Sequence, residues 1–186
     1  VIRYLNSFNV GFEIASEGEL AILKQLNVEP ERIITSNPVK TFKFLREAAE
    51  YGIDYYAFDS IAEVEKIAKY TPNKKVYIRL SVPNEGSEWP LSKKFGVEIE
   101  EAVQLLIYAK QKGLEPVGIT FHVGSQCSNV YNWYTAVHKS AQLKELIQKA
   151  GIEIKMLNIG GGYPIEYTKK VPSIETIETK INSLLE

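Results

Sequence analysis

Cysteine is almost missing from this chain. The single Cys127 among 186 residues excludes an internal disulfide framework and suits a reducing compartment, so a cytoplasmic location is expected. An excess of charge of one sign is missing too. Lysine and arginine total 22 against 23 acidic residues, and the lysines are dispersed over predicted helix faces such as Lys66 to Lys75 and Lys139 to Lys155. No basic stripe therefore marks a nucleic-acid partner. No apolar stretch is long enough to span a bilayer, and no targeting segment is visible. An initiating methionine is also lacking. The chain enters at Val1 on Ile-Arg-Tyr-Leu, which reads as helix interior, and leaves through a helical pattern from Ser173 to Glu186, so it reads as a piece of a longer sequence. With 45% hydrophobic and 24% charged residues, it can bury one sizeable core.

What is present is an alternation. Apolar or β-rich runs recur at Val10 to Ile14, Ile33 to Thr35, Tyr55 to Phe58, Val76 to Leu80, Val117 to Phe121 and Met156 to Ile159, with helical patterns between them. That predicts six βα units in series, the first four spaced by roughly twenty residues. Ser16-x-x-Glu19 and Ser60-x-x-Glu63 read as capping boxes just after strands, while Gly52, Gly113 and Gly151 read as helix stops. A turn-rich insertion, Pro83-Asn-Glu-Gly-Ser-Glu-Trp-Pro90, follows the fourth strand.

Two segments carry the chemistry: Thr120-Phe-His-Val-Gly-Ser-Gln126, and the triple glycine Gly160-Gly161-Gly162. Each follows an apolar run that reads as a buried strand. His122 and Ser125 can leave one strand end in different directions, one toward a ring and one toward an anion. A glycine run removes every Cβ, so backbone N–H groups can approach a phosphate, and a following helix N-terminus would add its dipole. Alone, a glycine triplet is a flexible turn and a histidine is a packed side chain; together at two strand ends they read as a site for an aromatic, phosphorylated cofactor. Polar groups at nearly every strand end, including Glu13, Asp59 and Arg79, favour a barrel over an open doubly wound sheet, because only a barrel gathers all strand ends around one centre. A whole (β/α)8 barrel takes about 250 residues, so six units fit this length.

The ordered set GFEIASEGEL, ERIITSNPVK, YYAFDS, VYIRL, SKKFGV, FHVGSQ and LNIGGGYP resembles the TIM-barrel domain, of the alanine racemase-like type, of the fold-type III pyridoxal-phosphate decarboxylases. The ornithine decarboxylase branch, with its bacterial relatives acting on ornithine or lysine, is the nearest likeness; diaminopimelate decarboxylase is the alternative branch. The resemblance covers essentially all 186 residues. It implies a partial barrel domain lacking the first and last strands and the C-terminal β-domain. The cofactor lysine would lie upstream of Val1 and the acid facing the pyridine nitrogen beyond Glu186, so this segment by itself is expected to be inactive.

The same resemblance implies roles. His122 would stack on the pyridine ring of pyridoxal 5'-phosphate, and Ser125 with Gly162 would hold the phosphate, flanked by Gly160 and Gly161. Arg79 would stand near the ring oxygen, the alternative being a structural ion pair. Glu13 and Glu19 match acidic positions near the cofactor lysine, Glu19 doubling as a capping residue. Lys94 matches a lysine that reaches the partner subunit of a homodimer, the alternative being a solvated side chain. Cys127, His138, Trp89 and Trp133 carry no assigned chemistry. The implied activity of the parent protein is decarboxylation of a basic amino acid, ornithine to putrescine first, in polyamine biosynthesis. Rival readings are a non-catalytic decarboxylase-like regulator or cofactor carrier, a diaminopimelate or arginine decarboxylase, an amino-acid racemase, and a barrel that binds a sugar phosphate.

Overall fold

The computed structural model describes residues 1–90 and 94–183, so Ser92 and Lys93 of the SKKFGV motif, and the last three positions of the C-terminal helical pattern, lie outside the described residues. Six parallel strands form one sheet in chain order: β1 (Phe12–Ile14), β2 (Ile33–Thr35), β3 (Tyr55–Phe58), β4 (Lys75–Arg79), β5 (Glu115–Thr120) and β6 (Met156–Asn158). Helix α1 (Ile2–Asn6) precedes them. Helices α2 (Glu17–Gln25), α3 (Phe42–Tyr51), α4 (Ile61–Tyr70), α5 (Ile99–Gln111) and α6 (Tyr131–Gln148) are the crossovers, and α7 (Ile174–Asn182) follows β6. An unbroken sequential order has no switch point, which excludes the open doubly wound alternative.

The pleat decides what each strand residue does. Ile14, Ile33, Tyr56, Phe58, Val76, Ile78, Ile119 and Phe121 join the buried cluster against the helices. Buried faces at helical spacing meet them, for instance Leu105, Leu106 and Ala109 of α5, or Trp133, Val137 and Leu143 of α6. Each large side chain so buried contributes roughly 1.5 to 3 kcal/mol. The alternate residues face the other way: Glu13 pairs with Ile34, Ala57 with Tyr77, Tyr77 with Gly118, and Arg79 with Thr120, which pairs in turn with Asn158. Gly118 is needed there, since a Cβ would stand 2.7 Å from Met156 Cε and 2.9 Å from Tyr77 Cβ. The inner face closes on itself. Asn158 Nδ2 of β6 donates to Glu13 Oε1 of β1 at 2.5 Å, although these strands are the opposite edges of the sheet. The sheet is therefore strongly curled, as part of a barrel.

Several expectations are corrected in detail. The first strand starts at Phe12 rather than Val10, whose carbonyl is taken by the Arg32 guanidinium at 2.7 Å. The last strand is half-buried rather than buried, because it is an edge of this sheet. Ser16 accepts the Glu19 N–H as a cap, but the Glu19 carboxylate returns to the Ala15 N–H at 2.6 Å. Ser60 likewise caps α4 through the Glu63 N–H. Its reciprocal partner does not form, because Glu63 turns inward to Lys40 Nζ at 2.9 Å and Lys66 Nζ at 2.6 Å.

Lys40, which the sequence does not single out, is fully buried and also donates to the carbonyls of Asn37 and Ala57 at 2.9 and 2.5 Å. Burial, opposed by the Glu63 charge, pushes its pKa down to about 8. In the intact protein, Lys40→Ala is expected to destabilise by up to about 3 kcal/mol in urea unfolding, since it leaves the buried Glu63 carboxylate with Lys66 alone, whereas Lys40→Met with Glu63→Leu costs less. The unfolded chain binds the Lys40 proton first between pH 10.5 and about 8, so stability rises with pH across that window. The double variant lacks that slope.

Candidate functional site

All six strands run in parallel, so their C-terminal ends share one rim. At the end of β5, His122 folds back on its own loop, and its Nδ1 accepts the Gly124 N–H at 3.0 Å. In the neutral ring the hydrogen therefore sits on Nε2. Burial first, and then the Arg79 charge, hold the imidazole below its ordinary pKa. Gly124 at φ +90° and Gln126 at φ +52° then reverse the chain. Ser125 stands exposed between them, with its N–H donating to Trp89 O at 3.1 Å and its carbonyl accepting from Glu88 N–H at 3.0 Å. Its hydroxyl has no partner among the described residues.

The glycines after β6 pack backbone to backbone on that loop. A Cβ on Gly160 would lie 2.0 Å from the Phe121 carbonyl oxygen, and one on Gly162 would lie 2.1 Å from that of Gly124. Both residues adopt positive φ, +65° and +99°, so no other residue fits either position. Gly161 lies against the His122 ring, where a Cβ would stand 3.2 Å from Nε2. The Gly160 N–H is used by Asn158 Oδ1 at 2.8 Å, and Cys127 N–H donates to the Gly162 carbonyl at 2.9 Å. The N–H groups of Gly161 and Gly162 find no acceptor among the described residues. The helix dipole expected behind them is not there. The next helix, α7, starts only at Ile174 with its own cap on Ser173.

Arg79 ends β4 with its guanidinium 5.0 Å from the Phe95 ring centre. It makes no contact ion pair among the described residues; Asp59 and Glu13 act on it from farther away, and Asp59 Oδ2 accepts the Gly96 N–H at 2.9 Å instead. The structural ion pair considered for Arg79 is thus not formed. Glu13 faces the inner side of the sheet, bound to Asn158. Glu19 is exposed in the first turn of α2, and its contacts are with the local cap, so it is not brought to the His122 and glycine cluster. Lys94 is exposed, its Nζ 5.1 Å from the Phe95 ring centre.

Two residues of this rim escape the sequence reading. Gln126 clamps the backbone of Ile165 with both ends of its amide, at 3.0 and 2.9 Å, and so ties the β6 loop to the β5 loop. Nothing in the sequence signals that bond. Asn158 could have been found, because a polar residue directly before Ile-Gly-Gly-Gly at a strand end falls where a barrel places chemistry. Trp133 and Tyr163 stack at 5.3 Å behind the same loop. A concavity of about 380 Å³ lies at the opposite end of β5, lined in part by Pro116, Val117 and Gly151, away from all these groups.

Comparison with known proteins shows the family and the fold. Residues 1–186 match the family model described as pyridoxal-dependent decarboxylase, pyridoxal binding domain. The chain is 36% identical over 169 residues to a lysine/ornithine decarboxylase of Selenomonas ruminantium, covering 91% of this chain and 43% of that one. It is 31% identical over 186 residues to antizyme inhibitor 2 of Xenopus laevis, covering all of this chain and 41% of that one. A crystal structure of an SrLDC mutant in complex with PLP superposes with a TM-score of 0.94 at 34% identity, over 99% of this chain and 48% of that one. The chain thus spans less than half the length of these relatives. In its sequence along its whole length, and in its curled sheet, it belongs to the pyridoxal binding domain family of the pyridoxal-dependent decarboxylases.

Proposed function

We propose that the rim formed by the β5 and β6 loops binds pyridoxal 5'-phosphate, and that the parent protein decarboxylates a basic amino acid, with ornithine first and lysine next. One observation carries the reading: among the described residues the Ser125 hydroxyl and the Gly161 and Gly162 N–H groups have no acceptor, and they stand on two interlocked loops beside a neutral imidazole. That set fits a phosphate joined to a flat aromatic ring. Neutral donors of this kind can hold an anion without a lysine. When bound, the cofactor supplies an electron sink for the charge left by loss of carbon dioxide.

The chain's own residues would act as follows. His122 offers an uncharged ring face for stacking, fixed in tautomer and direction by the Gly124 N–H. Ser125 and the Gly161 and Gly162 amides would hold the phosphate. Arg79, with no contact ion pair among the described residues and resting on Phe95, would keep a ring oxygen in its anionic form. Glu13 would stand on the inner face toward the reacting end, while Glu19 would act only by securing the loop after β1. We place Lys94 at the contact of a homodimer on its exposure, and a cytoplasmic location on the unpaired Cys127. The relative named lysine/ornithine decarboxylase supports ornithine or lysine as substrate, and hence production of a diamine in polyamine biosynthesis. Diaminopimelate and arginine are the substrates to be excluded.

A second reading, a non-catalytic relative, draws on the full-length match to antizyme inhibitor 2. The Ser125, Gly161 and Gly162 donors, which meet no acceptor among the described residues, speak against it, because a regulator has no need of a phosphate clamp. A cofactor lysine upstream of Val1 in the parent protein would separate the two.

Steady-state carbon dioxide release by the full-length protein should be greatest with ornithine or lysine among these four amino acids. Ser125→Ala should weaken cofactor retention by about tenfold, the cost of one charge-assisted hydrogen bond, and His122→Ala should lower both retention and turnover. Unchanged retention and turnover in both variants would refute the site. In a proton NMR titration, His122 should charge only below about pH 6.5, the ordinary histidine value. Because the unfolded chain takes up that proton first, the stability due to neutral His122 is kept above this value and declines as pH falls toward the folded pKa.

A further inference from the structure

Asn158 ends the edge strand β6 and uses both ends of its amide. Oδ1 accepts the N–H of Gly160, the first residue of the glycine loop, at 2.8 Å. Nδ2 donates across the inner face to Glu13 of β1. The Gly160 bond settles which end of the amide is which, so the end facing Glu13 is a donor. An acidic group and an anion cradle are thereby held by one planar group, whose own strand end lies 145 positions from Glu13 in sequence.

We propose that Asn158 is a positioning residue that locks Glu13 to the glycine loop, so that the acid and the phosphate cradle keep one fixed relation. The inference rests on the cofactor reading above. Asn158 needs both functions at once, a donor toward a carboxylate and an acceptor toward an amide. Alanine supplies neither. Aspartate keeps the acceptor for Gly160 but sets a second carboxylate against Glu13, and two carboxylates at that separation cannot both ionise freely. Arg79 and Tyr77 of β4 are the other titratable groups that act on Glu13. Changing Asn158 to Asp therefore replaces an attractive amide–carboxylate contact with a repulsive one between two acids.

Three variants of the full-length protein test this, each with two readouts: hydrogen exchange at the Gly160 amide in the cofactor-free form, and the dissociation constant for pyridoxal 5'-phosphate from its absorbance. Asn158→Ala should speed Gly160 exchange by about threefold to tenfold, the loss of one hydrogen bond, and weaken cofactor binding. Asn158→Asp should leave that exchange slow, yet bind the cofactor more weakly than the parent where both carboxylates are ionised, and recover binding as pH falls far enough to protonate one of them, unlike the parent. Adding Glu13→Gln to Asn158→Asp reverses the direction of the hydrogen bond, with the new amide as donor, and should remove the pH dependence. Gly160 exchange unaffected by Asn158→Ala, or a parent-like pH profile in Asn158→Asp, would overturn the proposal. A parent protein that binds no cofactor would instead overturn the functional reading, while the exchange experiment would still decide whether the bridge exists. Should Asn158→Ala fail to fold, the near-isosteric Asn158→Asp keeps the question open to refutation.

Discussion

The period of two along a strand is the constraint on which this structure depends. Each of six parallel strands must give one face to helices and the other to the interior of the curl, so every second residue becomes core and every other one becomes lumen or rim. Ile78 and Arg79 show the sorting at its sharpest. One is fully buried under helices, and its neighbour turns a guanidinium to the opposite face. A shift of register by one residue would bury the charge and expose the isoleucine, so core formation and the placement of charged groups at the rim are one event.

The same economy governs the two loops. Glycine at 160 and 162 is required by packing, because the Phe121 and Gly124 carbonyls fill the space where Cβ atoms would stand. The amides of Gly161 and Gly162 in the same packed loop meet no acceptor among the described residues. A rigid structural contact and a preorganised set of donors thus come from the same absence of side chains. The Gln126 clamp on Ile165 and the Trp133 and Tyr163 stack add to the order of a loop that otherwise has few side chains to anchor it.

Strand and helix alternation, the Ser16 and Ser60 caps, and the rim position of His122, Ser125 and the glycines could be read from sequence because each is a local or periodic signal. Lys40 could not. Its burial depends on the Ala57 carbonyl from β3 and the Glu63 carboxylate from α4, neither of which is near it in sequence. Glu63 misled for the same reason: its spacing from Ser60 is that of a capping box, yet a buried cation outcompeted a solvated helix end for its carboxylate. The half-buried state of β6 escaped prediction because an apolar run says nothing about whether a neighbouring strand stands on both sides. The dipole expected behind the glycines failed because the chain spends the stretch up to Ser173 in irregular structure before α7 begins.

Electrostatics at the rim follow from where full charges are kept apart. The imidazole is made neutral by burial and by the Arg79 cation, and the donors on the glycine loop are amides that do not titrate. Arg79 itself is spared a contact ion pair: Asp59 is engaged by the Gly96 N–H, and Glu13 is engaged by Asn158. Either carboxylate, if released, could quench the guanidinium. Two hydrogen bonds from uncharged groups thus engage both carboxylates, and Arg79 keeps its charge unpaired among the described residues. On the proposed reading, that availability, rather than net charge, would let this face of the sheet attract an anionic ring substituent.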